Sequence, residues 1–211
     1  MRHSNFPRIQ ALGLATALVG WSFVGPRIPA RATLQAGLAG LLVVVTRAPL
    51  GLRPPRLWAG LRLGLAVGSA AATAVMATTS LPAVRVSMAG RELPTPASTW
   101  LALRIPLGTV WAEEAAFRAA LAALADRGYG ASAGRLLQAV AFGLSHIADA
   151  RATGEPVLPT VLATGGAGWI FGWLAQHSSS LSAPMLAHLA INESAAVAAL
   201  TIQRRSRASR R

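Results

Sequence analysis

Two acids and a base stand close together in a stretch that is otherwise apolar: Glu113, Glu114 and Arg118, flanked by Leu107 to Trp111 on one side and Ala119 to Ala125 on the other. Two histidines lie in similar surroundings further on, His146 in Phe142-Gly143-Leu144-Ser145-His146 and His188 in His188-Leu189-Ala190-Ile191-Asn192. Helical positions four apart share a face. Phe142 therefore stacks with His146, His188 with Asn192, and Glu114 with Arg118, while Glu113 and Phe117 form a neighbouring row. If the three faces meet, a carboxylate, two imidazoles and an amide converge, a set suited to hydrolysis. A carboxylate or histidine can take a proton from water, and His and Asn can donate to the oxyanion that grows on a peptide carbonyl. The same Glu113, His146 and His188 could instead ligate a divalent metal such as zinc that acidifies the water.

Within this set the acids divide. Glu114 has a cation at i+4 in Arg118 and reads as the ion-paired, architectural member. Glu113 has no such partner, which makes it the candidate for proton transfer. Asn192 alone would read as an interhelical hydrogen bond. Glu193 has no role assigned by the pattern. Trp111, Trp169 and Trp173 read as packing or interfacial residues, and His3 and His177 as incidental.

The elements that position these residues follow from composition. The 211 residues are 53% hydrophobic and only 13% charged, with a mean hydropathy of +0.47, whereas a soluble domain has about 25% charged residues. A charged side chain near the centre of a bilayer costs roughly 2.5–3.5 kcal/mol on insertion scales, so three together require a reason. Apolar runs recur at Ile9–Val24, Ala32–Val45, Leu57–Thr79, Thr99–Ala125, Ala131–Ala148, Val157–Ala175 and Leu181–Ile202, each near the length that crosses a hydrocarbon layer. The expectation is an all-α, polytopic transmembrane bundle of about seven spans (six to eight), one domain over 1–211, with a polar cavity among the later helices. Breaks are expected at Pro26 and Pro29, at Pro49 with Pro54-Pro55, from Pro82 to Pro96, at Gly128 to Gly130, at Glu155-Pro156 and at Ser178-Ser179-Ser180. The first apolar stretch reads as an uncleaved helix rather than a signal peptide.

A formal net charge of +13 would suggest nucleic acid in a soluble chain. Here the arginines read as loop and tail residues facing anionic lipid, which places the basic tail 203–211 in the cytoplasm of a multi-pass cell-membrane protein, with the bilayer and no nucleic acid as partner. The absence of Cys excludes disulfides and thiol nucleophiles. Gly60, Gly64 and Gly68, and likewise Gly168 and Gly172, recur at four-residue spacing and read as close-packing faces.

The three motifs in order, Glu113-Glu114-x-x-x-Arg118, Phe142-x-x-x-His146 and His188-x-x-x-Asn192, resemble the signature of the CPBP intramembrane proteases, the group of type II CAAX prenyl endopeptidases and bacterial Abi or bacteriocin-processing proteins. The resemblance covers about 99–199. It implies an endopeptidase acting on membrane-associated or exported peptides, prenylated or bacteriocin-like. Glu113 and His146 would activate water, His188 and Asn192 would stabilise the oxyanion, and Glu114, Arg118 and Phe142 would support them. The rival readings are a non-catalytic scaffold that keeps the polar cluster for packing, and a small proton-coupled transporter that uses it as a relay.

Overall fold

The computed structural model describes residues 5–24 and 30–208. His3, the breaks expected at Pro26 and Pro29 and the last three tail residues lie outside them. Among the described residues every regular element is helical and none is a strand. The helices are α1 (Phe6–Val24), α2 (Arg31–Thr46), α3 (Arg56–Thr78), α4 (Pro82–Gly90), a long rod α5 over 97–129, α6 (Ala131–Ser145), α7 (Ile147–Thr153), α8 (Val157–Ser178) and α9 (Ser182–Ala208). By length and composition α3, α8 and α9 are able to cross a membrane. The outward surface agrees: Val44, Val45, Val86, Leu158 and Leu162 all stand exposed. In water such a surface would be costly, and in lipid it is matched. This is an apolar helical membrane protein.

The ends of the helices alternate. Arg8 Nε at the start of α1 donates to Gly128 O at the end of α5, Arg127 Nη2 donates to Thr46 O at the end of α2, and the Leu181 amide before α9 donates to Leu50 O before α3. At the opposite end Gln203 Nε2, late in α9, donates to Met88 O and Arg91 O. One end of the bundle thus gathers the starts of α1, α3, α6 and α9, and the other gathers the start of α2 with the ends of α6 and α9.

Two details differ from the sequence expectation. The proline-rich interval from Pro82 is not wholly a break. Pro82 occupies the first helical positions, where its missing N–H is no loss, and α4 follows as far as Gly90. The span expected over Ala131–Ala148 ends early, at Ser145. His146 takes φ −90°, ψ 0° and separates α6 from the short α7.

The rod α5 is the axis of the molecule. It begins as Ala97–Thr99, widens into π-helical turns over Trp100–Trp111 and again over Glu114–Leu121, and closes as α-helix over Ala122–Tyr129. In the wide turns the bonds reach five residues back, from Ala112 N to Leu107 O and from Ala122 N to Phe117 O. Pro106 lies in the first wide stretch, where it removes one donor from the ladder. π turns are rare and concentrate at functional sites. Around the second stretch the core is built from small and aromatic groups: Ala115, Ala120 and Leu121 are fully enclosed, and Ala15 of α1, Ala39 of α2 and Phe142 of α6 pack on the same face.

Small residues bring the other helices close. A Cβ on Gly64 of α3 would lie 2.8 Å from Ala183 O and 2.9 Å from Ala183 Cα of α9. One on Gly168 of α8 would lie 3.0 Å from the Phe142 ring. Backbones that approach this closely need glycine at the crossing.

Candidate active site

Glu114 is at the centre of the polar cluster. Its carboxylate is fully buried, and the two oxygens face different helices. Oε2 lies 3.3 Å from Arg118 Nε, one turn along α5. Oε1 lies 2.7 Å from His188 Nδ1 of α9. Glu114 is therefore more than the partner of Arg118, because it also fixes one imidazole. A carboxylate that accepts the Nδ1 hydrogen bond sets the tautomer and the ring plane, and leaves Nε2 on the other edge of the ring.

That Nε2 faces Glu113, whose Oε2 is 3.9 Å away. The Glu113 oxygen is buried and has no hydrogen-bond partner in the protein. Successive positions on α5 thus send one carboxylate to each edge of the same ring. Phe171 of α8 stacks on the His188 ring at 5.1 Å and 26°, and Phe142 meets it edge-on at 6.3 Å. Asn192 donates from Nδ2 to His188 O at 3.1 Å, one turn along α9, which leaves the second hydrogen of its amide free.

Arg118 is enclosed by aromatic faces. Its Cζ is 3.8 Å from the Phe142 ring centroid and 5.2 Å from that of Phe171. Stacking of this kind supports a planar guanidinium that has left water. Phe142 in turn lies edge-on to Phe117 at 5.2 Å and to His146 at 4.7 Å. One phenylalanine therefore touches all three motifs.

His146 occupies the break between α6 and α7. Its Nδ1 is 2.8 Å from Phe142 O, so that nitrogen carries the hydrogen and Nε2 is the free one. Ser145 Oγ donates to the same carbonyl at 2.8 Å. The break turns the imidazole into a cavity of about 980 Å³ that Glu113, His146, His188 and Asn192 all line. Thr109, Ala112 and Ala116 of α5 form part of its wall, Leu14 and Leu18 of α1 and Leu42 of α2 form apolar parts, and Arg31 and Arg104 stand at the end where α2 begins.

The four residues proposed from the sequence as catalytic thus share one cavity, and Glu114, Arg118 and Phe142 stand behind them. Glu193 is elsewhere. Its Oε1 is buried without a hydrogen-bond partner in the protein, and it does not line this cavity. Trp111 packs, donating from Nε1 to Ala36 O, and Trp173 stacks on His177. Phe171 and Ser145 belong to the site and had no motif to mark them; a Phe in an apolar run resembles every other. Among the described residues no group of three or more His, Cys, Asp or Glu side chains is arranged to hold a metal ion. Glu113, His146 and His188 line one cavity without forming such a group.

Residues 95–193 match the family model described as type II CAAX prenyl endopeptidase Rce1-like. That stretch is similar to this family. It runs from the linker before α5 to Glu193 in α9 and encloses all three motifs. No curated protein and no solved structure matches the chain.

Proposed function

We propose that the protein is a multi-pass cell-membrane endopeptidase that hydrolyses peptide bonds of membrane-associated or exported substrates with a water activated by Glu113 and His146. The observation that carries this reading is the Glu113 Oε2, without a hydrogen bond in the protein and 3.9 Å from His188 Nε2, in a cavity that His146 and Asn192 also line. Water held at Glu113 and at the free Nε2 of His146 loses a proton as its oxygen attacks the carbonyl carbon. Negative charge then grows on the carbonyl oxygen. The Nε2–H of a protonated His188 and the free Nδ2–H of Asn192 donate to it. The proton taken from water passes to the leaving nitrogen, and the two fragments separate.

The apolar walls of the cavity suit a substrate presented from lipid, of the prenylated or bacteriocin-like kind. With the basic tail in the cytoplasm, the cavity opens toward the cytoplasmic end, because α9 reaches that end beyond Asn192.

Reconstitution tests the assignment. Glu113→Gln and His146→Ala proteins, purified and placed in liposomes with membrane-anchored peptide libraries, should lose cleavage while keeping the thermal midpoint of the parent. Cleavage at the parental rate by either protein would overturn the mechanism. Proton flux without proteolysis would favour the transporter reading instead.

A further inference from the structure

A second hollow, of about 250 Å³, is lined by Arg118, which does not line the catalytic cavity. Its rim is formed by Pro49, Arg56 and Ser179, all exposed, at the end of the bundle where α3 starts and α8 stops. The catalytic cavity has its rim at the opposite end, with Arg31 and Arg104. The floor of the second hollow is Arg118 and Gln138. The Arg118 side chain and the whole of Gln138 are 0% exposed.

Polar atoms without protein hydrogen-bond partners line this floor. They are Arg118 Nη1 and Nη2, Arg135 Nε, Gln138 Oε1 and Asp126 Oδ1. The orientation of the Gln138 amide is fixed by its nitrogen, which donates to Gly168 O at 2.9 Å and to Arg135 O at 3.1 Å. Buried polar groups are rarely left unpaired, because each one costs about 1–3 kcal/mol. The mixture decides what completes them. An anion would serve the arginines and be repelled by Asp126 and Gln138 Oε1. A cation would serve those oxygens and be repelled by three arginines, Arg56, Arg118 and Arg135. Water both donates and accepts, and at about 30 Å³ per molecule several fit the space.

We propose that this hollow is a water-filled chamber entered from the end of the bundle opposite the catalytic cavity, so that the Glu114–Arg118 pair forms the partition between two aqueous spaces. Hydration from behind keeps the Arg118 guanidinium charged while Phe142 covers its face, and it lowers the cost of burying the pair. Positions four apart along α6 then run from chamber to cavity, with Gln138 at the chamber, Phe142 over Arg118 and His146 in the catalytic cavity.

The chain contains no cysteine, so single-cysteine variants report water access directly. Ala119→Cys places a thiol on the chamber wall beside Arg118, and Thr109→Cys places one on the wall of the catalytic cavity. Each is reconstituted in liposomes of defined orientation and treated from one side with a charged, membrane-impermeant methanethiosulfonate. The expected result is labelling of Ala119→Cys roughly an order of magnitude faster from one face, and of Thr109→Cys by a similar factor from the other. Adding Gln138→Leu should slow the labelling of Ala119→Cys several-fold. Ala122→Cys, half-buried on the same wall, serves if Ala119→Cys does not fold. A chamber thiol that reacts from neither face, yet fully after denaturation, would overturn the proposal. Reaction of both thiols from the same face would overturn it too. Labelling needs no proteolysis, so its outcome is independent of the mechanism proposed above.

Discussion

The imidazole of His188 is tied to the carboxylate of Glu114, Nδ1 to Oε1 at 2.7 Å, across 74 positions of sequence. The same carboxylate holds Arg118 with its other oxygen. Glu114 is thus a junction between α5 and α9, and its neighbour Glu113 is a free group beside it. The two acids should respond to substitution in opposite ways.

Glu114→Ala leaves the Arg118 guanidinium buried without its counter-charge, a loss of about 3–5 kcal/mol for a broken buried pair. A markedly lower thermal midpoint in detergent is the expected outcome. Glu114→Gln, which retains an oxygen for His188, should lose less. Glu113→Gln, by contrast, should unfold with the parent and lose only cleavage. Equal destabilisation by Glu113→Gln and Glu114→Ala would show that the division of roles is wrong.

Phe142 carries a load that its place in a motif does not explain. Its ring lies 3.8 Å from Arg118 Cζ and touches Phe117 and His146. Phe142→Leu keeps much of the volume and removes the π face, so it should cost about 1–2 kcal/mol through the lost cation–π contact. Phe142→Ala adds a cavity and should cost about 3–5 kcal/mol. Chemical denaturation of the two variants measures the difference.

Part of this site can be read from spacing alone. Glu114 and Arg118, and His188 and Asn192, are separated by one helical turn, and local geometry is enough to bring each pair together. The apolar runs likewise announce a helical membrane protein. The Glu114–His188 bond is tertiary, and no local pattern encodes it. The break at His146 was hidden because Ile147-Ala148 continues the apolar run, and hydropathy cannot see a change in ψ. The wide turns of α5 were hidden for a related reason: apolar sequence is compatible with four-back and five-back bonding alike. Phe171 and Gln138 gave no signal because their meaning comes from the neighbours they meet.

The α3–α9 crossing should tolerate no side chain at Gly64. A Cβ there meets Ala183 backbone at 2.8 and 2.9 Å, and backbone atoms cannot rotate away. Gly64→Val should cost about 1–3 kcal/mol as overpacking, and should lower cleavage because α9 carries His188 and Asn192. Gly37 of α2 has nothing within 4 Å of its Cβ position. Gly37→Ala should therefore be neutral, or stabilising by up to about 1 kcal/mol from helix propensity. Thermal midpoints of the two variants in the same detergent check the contrast.

The position of His146 depends on how closely α6 approaches α8. A Cβ on Gly143 would lie 2.7 Å from Val161 O and 3.2 Å from Gly165 N and Cα, all backbone atoms of α8. Gly143→Ala must push the end of α6 outward, and His146 is the cap of that end, held through Phe142 O. The carboxylate, the second imidazole and the amide stay where they are, on α5 and α9. The variant should thus bind substrate with nearly the parental KM, since most of the cavity wall is unmoved. Its kcat should fall by about 100-fold, the usual consequence of displacing a catalytic group by about 1 Å. Steady-state kinetics on a cleaved peptide separate the two constants. A rise in KM with unchanged kcat would mean that His146 serves binding rather than water activation.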